Sequence, residues 1–243
     1  MDKLGVFREG EYGGGGHHVR RLTPADLDSV AQVHVRAFPD SVLTCYGKAV
    51  VVRYYHYHLT GPHDCHALGV FTGSACLGFA FGGVFRDSMG GFVRENMTML
   101  LRHVAARPWL LLQPKVFDRG RSLFRLFYRK RKVRRKRRTK PHQDRPYGIL
   151  SIATDPSRQG KGVGRELMLA HERIACDEGF ARMSLTVAHD NEKAIRFYEH
   201  LGWRFYRFGP DGSHKMERLL DPRLAASSVE VEQVTPHLIP RST

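Results

Sequence analysis

With 243 residues, 42% of them hydrophobic, the chain can bury the core of one sizeable domain, which excludes wholesale disorder. The formal net charge of +15 is a local property: thirteen Lys or Arg and no Asp or Glu lie between Arg119 and Lys140, and +15 − 13 leaves +2 for the rest. No run approaches the ~20 apolar residues that cross a bilayer, so a helical membrane span is excluded.

Residues 1–18 read as a flexible leader, because the run Gly13 to Gly16 has high backbone freedom and nothing to pack. It is charged and Gly-rich, without the apolar stretch of a secretory signal. The pair His17-His18 reads as solvated. The four cysteines, Cys45, Cys65, Cys76 and Cys176, show no CxxC spacing, so free thiols and a cytoplasmic location are expected.

The folded domain is expected over 19–220. A short strand covers Val19 to Leu22. Thr23 can cap the helix that follows, Pro24 suits its first position, and Pro39 ends it. Lys48 to Leu59 predicts a second helix, stopped by Gly61-Pro62. His66–Phe71 and Cys76–Phe81 predict a hairpin turned at Thr72-Gly73-Ser74, with Gly82-Gly83 ending its second strand. Residues 86–146 read as an insertion: an amphipathic helical stretch from Phe92 to Leu112, with Met97, Leu100, Leu101 and Val104 on one side, and then the basic run. Residues 221–243 read as a tail.

Regular patterning returns at Tyr147. Gly148 to Thr154 alternates and is β-branched, which predicts a strand. After the turn Asp155-Pro156-Ser157 comes Arg158-Gln159-Gly160-Lys161-Gly162-Val163-Gly164-Arg165, and then helical spacing at Leu167, Met168, Ala170, Ile174 and Ala175, closed by Gly179. Strand, Gly-rich turn and helix together suit an anion. Glycine lets the backbone approach a ligand closely, and the first helical N–H groups lack internal partners at the positive end of the dipole. Lys161 and Arg165 add positive charge. No Gly-Lys-Ser/Thr closes the turn, so it is not a P-loop, and its spacing is not that of a dinucleotide fingerprint.

Met183 to Val187 predicts the next strand. Asn191 can cap the helix after it, Ala194, Phe197 and Tyr198 share a helical face, Gly202 ends that helix, and Phe205-Tyr206 begin a last strand. Here the sequence resembles a known family. Gln159-x-x-Gly162-x-Gly164 resembles the Q/R-x-x-G-x-G/A motif of the Gcn5-related N-acetyltransferase superfamily (GNAT). Asn191-x-x-Ala194-x-x-Phe197-Tyr198-x-x-x-Gly202-Trp203 resembles its second signature. The resemblance is close over about 147–206 and looser over the N-terminal elements; the insertion lies outside the common core.

The resemblance implies an α/β (α+β) fold with a mixed, mostly antiparallel sheet, a splayed parallel strand pair and flanking helices, here carrying a basic helical insertion. It implies an enzyme, an acyl-CoA-dependent N-acyltransferase with acetyl-CoA as co-substrate and an amine as acceptor. The pantetheine arm would pair with backbone from Ile152 through Ala153 to Thr154, like an added strand. The pyrophosphate would lie on backbone N–H groups of Gly160, Lys161, Gly162, Val163, Gly164 and Arg165, with Gln159 also binding the cofactor and Asn191 ordering the loop or touching the cofactor. Tyr198 would act as the general acid toward the departing thiolate. The ribosomal-protein alanine acetyltransferases place a Glu twelve residues before the equivalent tyrosine. That position here is Thr186, which cannot act as a base, so His189 or a carboxylate reached through water would replace it.

Three function classes follow: an acetyltransferase for a small amine, one for a protein N-terminus or lysine, and a non-catalytic acyl-CoA- or nucleic-acid-binding module. The run 119–140, with Phe124, Phe127 and Tyr128 interleaved, suits a polyanion, an anionic membrane surface or plain solvation. His56, His58, His63, Cys65 and His66 cluster in sequence, but their spread over a helix end and a hairpin predicts no metal site.

Overall fold

The computed structural model describes residues 16–86, 88–106 and 145–221. Seven strands form one sheet: β1 (His18–Arg21), β2 (Asp64–Thr72), β3 (Ala75–Val84), β4 (Tyr147–Thr154), β5 (Arg182–Val187), β6 (Arg204–Phe208) and β7 (His214–Leu219). Their order is β1-β2-β3-β4-β5-β7-β6. Every neighbouring pair is antiparallel except β4–β5. The described helices are α1 (Leu27–Ala37), α2 (Val42–Tyr46), α3 (Lys48–Thr60), α4 (Ser88–Glu95), α5 (Met97–Ala106), α6 (Val163–Asp177) and α7 (Glu192–His200).

Each face of the sheet holds its own core. On one face α1 buries Leu27, Val30, Ala31, Val33 and His34, a helical stripe set against α3 and strand residues Phe71, Phe79 and Phe81. Tyr55, Phe79 and Phe81 are wholly buried and in ring contact at 4.7 to 6.1 Å. Each such aromatic contributes roughly 1.5–3 kcal/mol by burial. On the other face α6 lays Leu167, Met168, Ala170, Ile174 and Ala175 over the sheet, and Tyr198 and Trp203 extend that core to α7.

The start of the domain follows its caps. Thr23 and Asp26 form a capping box, and Arg20 grips Asp26 through both carboxylate oxygens at 2.7 and 2.9 Å. The chain is already ordered at His17, whose Nε2 meets Glu166 at 2.9 Å, while the His18 ring stacks on Phe71; the pair is therefore packed rather than solvated. The short helix α2 has no counterpart in the sequence reading, nor has β7 after the Gly209–Gly212 turn.

Two expectations are corrected. Gly82-Gly83 does not end β3, which runs on to Val84. Gly83, at φ 138°, lies where a Cβ would fall 2.0 Å from the Asp64 carbonyl oxygen, so that glycine admits close strand pairing instead of stopping it. The stretch from Phe92 is not one helix: α4 and α5 meet at Asn96, whose side-chain amide donates to the Phe92 carbonyl at 2.9 Å and accepts from Arg53 Nε at 2.9 Å. Met97 and Leu101, placed on one apolar side by their spacing, are exposed. Residues 107–144, including the basic run 119–140, lie outside the described residues. Among the described residues no helix is long and apolar enough to cross a membrane.

Candidate functional site

Strands β4 and β5 pair only at Tyr147 with Met183 and Gly148 with Ser184. Past that vertex each keeps its outer partner, β4 as far as Thr154 opposite Gly78 and β5 as far as Val187 opposite His214. The gap between them opens as a V. A bulge helps to open it: Phe81 pairs with Ser151 and Gly82 with Ile149, leaving Leu150 as the extra residue of β4. An extra residue bends its strand and sharpens its twist.

The V leads into a cleft of about 530 Å³. One wall is the β4 end, Ile152, Ala153 and Thr154. The floor is the turn and helix start, with Arg158, Gln159, Gly160, Gly162, Val163, Gly164 and Arg165. The far wall is the first half of α7, with Asn191, Lys193, Ala194, Phe197 and Tyr198. Thus the structure brings together every cofactor and acid residue expected from the sequence except Lys161, which is exposed beside the turn and, like the candidate base His189, does not line the cleft. The sequence reading missed Ala37 and Phe38, which reach the cleft from the end of α1 over a distance that no local pattern reports. It also missed Arg158 and Lys193, whose signal was their charge beside the motif glycines and within the Asn191 signature.

The floor is built for an anion. Asp155 accepts from Ser157 N at 3.0 Å and Oγ at 2.7 Å, fixing the turn after β4. These bonds, joined by Arg36 at 3.1 Å, hold its carboxyl below the usual carboxylate range. The N-cap of α6 is Gly162, left-handed at φ 86° and without a capping side chain. The amides of Val163, Gly164 and Arg165 therefore begin the helix without acceptors from a cap. Gly164 also sets the clearance there, since a Cβ on it would sit 3.4 Å from the Phe197 ring and 3.6 Å from Thr154 Oγ1. With Arg158, Arg165 and Lys193 around these amides, the residues present fit a pyrophosphate.

Asn191 caps α7 by accepting from Ala194 N at 3.1 Å, which sets Phe197 and Tyr198 one after the other along the wall. Tyr198 is 8% exposed, and burial pushes its hydroxyl up to about 12, so it stays protonated through the neutral range. Among the described residues that line the cleft there is no carboxylate and no histidine. Thr186 is exposed on β5 opposite Lys215, and His189 is exposed and outside the lining.

The other sequence cluster falls apart in space. His58 stacks on His63 at 5.0 Å and bonds Ser88, whereas His66 pairs with Glu178 at 2.7 Å. Among the described residues no group of three or more His, Cys, Asp or Glu could hold a metal ion. All four cysteines are free thiols.

This fold is shared with solved structures. The PaiA N-acetyltransferase of Thermoplasma acidophilum, in complex with coenzyme A, aligns with a TM-score of 0.51 at 14% identity over 84% of this chain and 98% of its own. YncA of Salmonella typhimurium, described as a putative acetyltransferase with its cofactor acetyl-CoA, aligns with a TM-score of 0.50 at 16% identity over 91% and 98%. The sequence model of the acetyltransferase (GNAT) family matches residues 128–203. The mycothiol acetyltransferase of Nocardiopsis dassonvillei is 40% identical over 76 residues, 28% of this chain and 23% of that protein. That of Thermomonospora curvata is 38% identical over 68 residues, again 28% and 23%. The match spans less than a quarter of the length of these curated relatives. Splayed strands, capless helix start and both signatures define a GNAT fold. Over residues 128–203 the chain is similar to the GNAT acetyltransferase family.

Proposed function

We propose that the protein is an acetyl-CoA-dependent N-acetyltransferase that transfers the acetyl group directly to a primary amine of a small molecule. The observation that carries this reading is the V between β4 and β5, with a cationic, uncapped helix start at one end and the buried Tyr198 in its wall. The matched stretch of the mycothiol acetyltransferases favours a small amine of the deacetylated mycothiol type over a protein acceptor.

Acetyl-CoA supplies an acyl group activated as a thioester. The amides of Val163 to Arg165, with Arg158, Arg165 and Lys193, neutralise the pyrophosphate end. The backbone of Ile152 to Thr154, turned away from any β5 partner, offers an extended chain the hydrogen bonds of a missing strand. A β4 backbone amide on the side of the open V would steady the developing oxyanion. Tyr198 donates a hydrogen bond to sulfur as the C–S bond lengthens. A phenol held at about 12 is a weaker acid than a thiol near ~8.5, so its proton stabilises the developing thiolate rather than leaving early. The net proton passes from the attacking nitrogen to sulfur, and no covalent enzyme intermediate is needed.

Calorimetric titration with acetyl-CoA, beside a Gly162→Glu, Gly164→Glu variant, tests the reading. Binding by the wild type and its loss in the variant support it, followed by CoA release on adding deacetylated mycothiol. Absence of acetyl-CoA binding by well-folded wild-type protein overturns it.

A further inference from the structure

A part-buried chain of hydrogen bonds runs from α2 to β4 on the α1 face of the sheet. Thr44 Oγ1 donates to the Phe38 carbonyl at 2.7 Å. Because that hydroxyl has spent its proton on a carbonyl, its oxygen can only accept from Ser41 Oγ, 2.9 Å away. Ser41 Oγ, its own proton given to Thr44, accepts in turn from Thr44 N at 3.1 Å and from His34 Nε2 at 3.1 Å. His34 therefore carries its proton on Nε2. Its ring is 5% exposed, and burial pushes its pKa down to about 4, so the imidazole is neutral and Nδ1 is an acceptor. Tyr55, wholly buried, must then donate to Nδ1 at 2.8 Å and accept from Ser151 Oγ at 2.9 Å. The chain has one direction throughout.

Its end is placed by the bulge. Ile149 and Ile152 pack on the α6 face of the sheet, whereas the extra residue Leu150 packs on the α1 face and Ser151 beside it reaches Tyr55 on that same face. A cofactor laid from the anion floor along Thr154 and Ile152 points its thioester toward the vertex, which is toward Ser151. Ser151 is partly exposed beside Ile152, at which the lining of the cleft begins; its hydroxyl proton is committed to Tyr55, and among the described residues nothing donates to its oxygen.

We propose that Ser151 accepts a hydrogen bond from the N–H of the attacking amine at the thioester end of the cleft, and that Tyr55 and His34 are positioning residues which hold its hydroxyl proton away from that amine. This rests on the acetyltransferase reading above. An acceptor-only oxygen takes one N–H of the amine and so turns the lone pair of a neutral amine toward the carbonyl carbon. It also supplies polar recognition next to a cleft whose lining holds no carboxylate or histidine among the described residues.

The test has two arms on the full chain. Nitrogen-15 shifts of labelled histidines, with His34 assigned against a His34→Gln variant, report the tautomer without any substrate. The Nε2–H form at pH 7.5 is expected, and an Nδ1–H form overturns the proposal. In the kinetic arm, Ser151→Ala and Tyr55→Phe each raise the KM for deacetylated mycothiol about tenfold with a smaller change in kcat. The acetyl-CoA dissociation constant from calorimetry stays within about twofold. The double variant is no worse than Ser151→Ala alone, and Ser151→Thr, which keeps the hydroxyl, recovers the wild-type KM. Unchanged amine KM in Ser151→Ala, or additive effects in the double variant, overturns the proposal and leaves the acetyltransferase reading standing. Absence of acetyl-CoA binding or of transfer in the wild type overturns both.

Discussion

Lys193, in the first turn of α7, donates to Gln159 on the opposite side of the cleft mouth, Nζ to Oε1 at 2.5 Å. Both residues line the cleft, so the bond ties the far wall to the floor on which the phosphates would lie. Its ends are on the surface, where such contacts contribute about 0–1 kcal/mol to stability.

Removing that ammonium separates binding from folding. Lys193→Ala is expected to weaken acetyl-CoA binding about fivefold at low salt, less at high salt, with a melting temperature within about 2 °C of the wild type. Calorimetry at two ionic strengths measures it. An affinity that does not change at either salt would remove Lys193 from the phosphate site.

Tyr198→Phe keeps the ring that packs on Phe197 and Trp203, at 5.2 and 6.0 Å between centroids, and deletes only the hydroxyl. Turnover is expected to fall about 10- to 100-fold, the scale of a positioned proton donor, while the acetyl-CoA dissociation constant holds. Steady-state CoA release and calorimetry give the two numbers. Equal turnover in the two proteins would leave Tyr198 a purely structural ring.

The motif-bearing part of the cleft was legible in the sequence because it is local. Gln159, Gly162, Gly164, Asn191 and Tyr198 lie within two strand–turn–helix units, and fixed spacings suffice to set them around one cleft. The part of the molecule proposed to meet the amine was not legible. Phe38, Tyr55 and Ser151 come from α1, α3 and β4, and only the sheet register with its Leu150 bulge turns Ser151 toward Tyr55. The same limit explains Gly82-Gly83: a glycine pair reads as a stop, but whether it ends a strand or admits a close neighbour depends on what lies across the sheet. It explains Met97 and Leu101 too, since helical spacing gives an apolar side without showing that anything covers it.

Acid should loosen the fold in a definite window. Burial lowers His34 and His58 to about 4 and His171 to about 3, against an ordinary value of 6.5. Their folded pKa values are depressed, so at pH below 6.5 the unfolded chain takes up protons that the folded chain refuses. Stability is full above pH 6.5 and falls as pH drops from there toward 4. Urea unfolding at pH 7.5, 6.0 and 5.0 should show a midpoint that declines through this range, before most carboxylates titrate. A flat midpoint from 7.5 to 5.0 would mean that these rings are not buried as neutral imidazoles.

Gly83 offers the sharpest steric test. Its φ of 138° is one that side-chain-bearing residues rarely adopt, and the nearest atom to a new Cβ would be backbone, the Asp64 oxygen at 2.0 Å. Neither strand can yield without breaking the β2–β3 ladder between Cys65 and Gly83 that carries the central sheet. Gly73, in the hairpin turn at φ 57°, has nothing within 4 Å of its Cβ position, so alanine there meets only the conformational cost of roughly 1 kcal/mol. Gly83→Ala is expected to cost about 3 kcal/mol or more, the scale of strain and overpacking combined. Paired urea denaturation of the two variants measures the gap. Equal losses at Gly73 and Gly83 would show that β2 and β3 are not paired in this register.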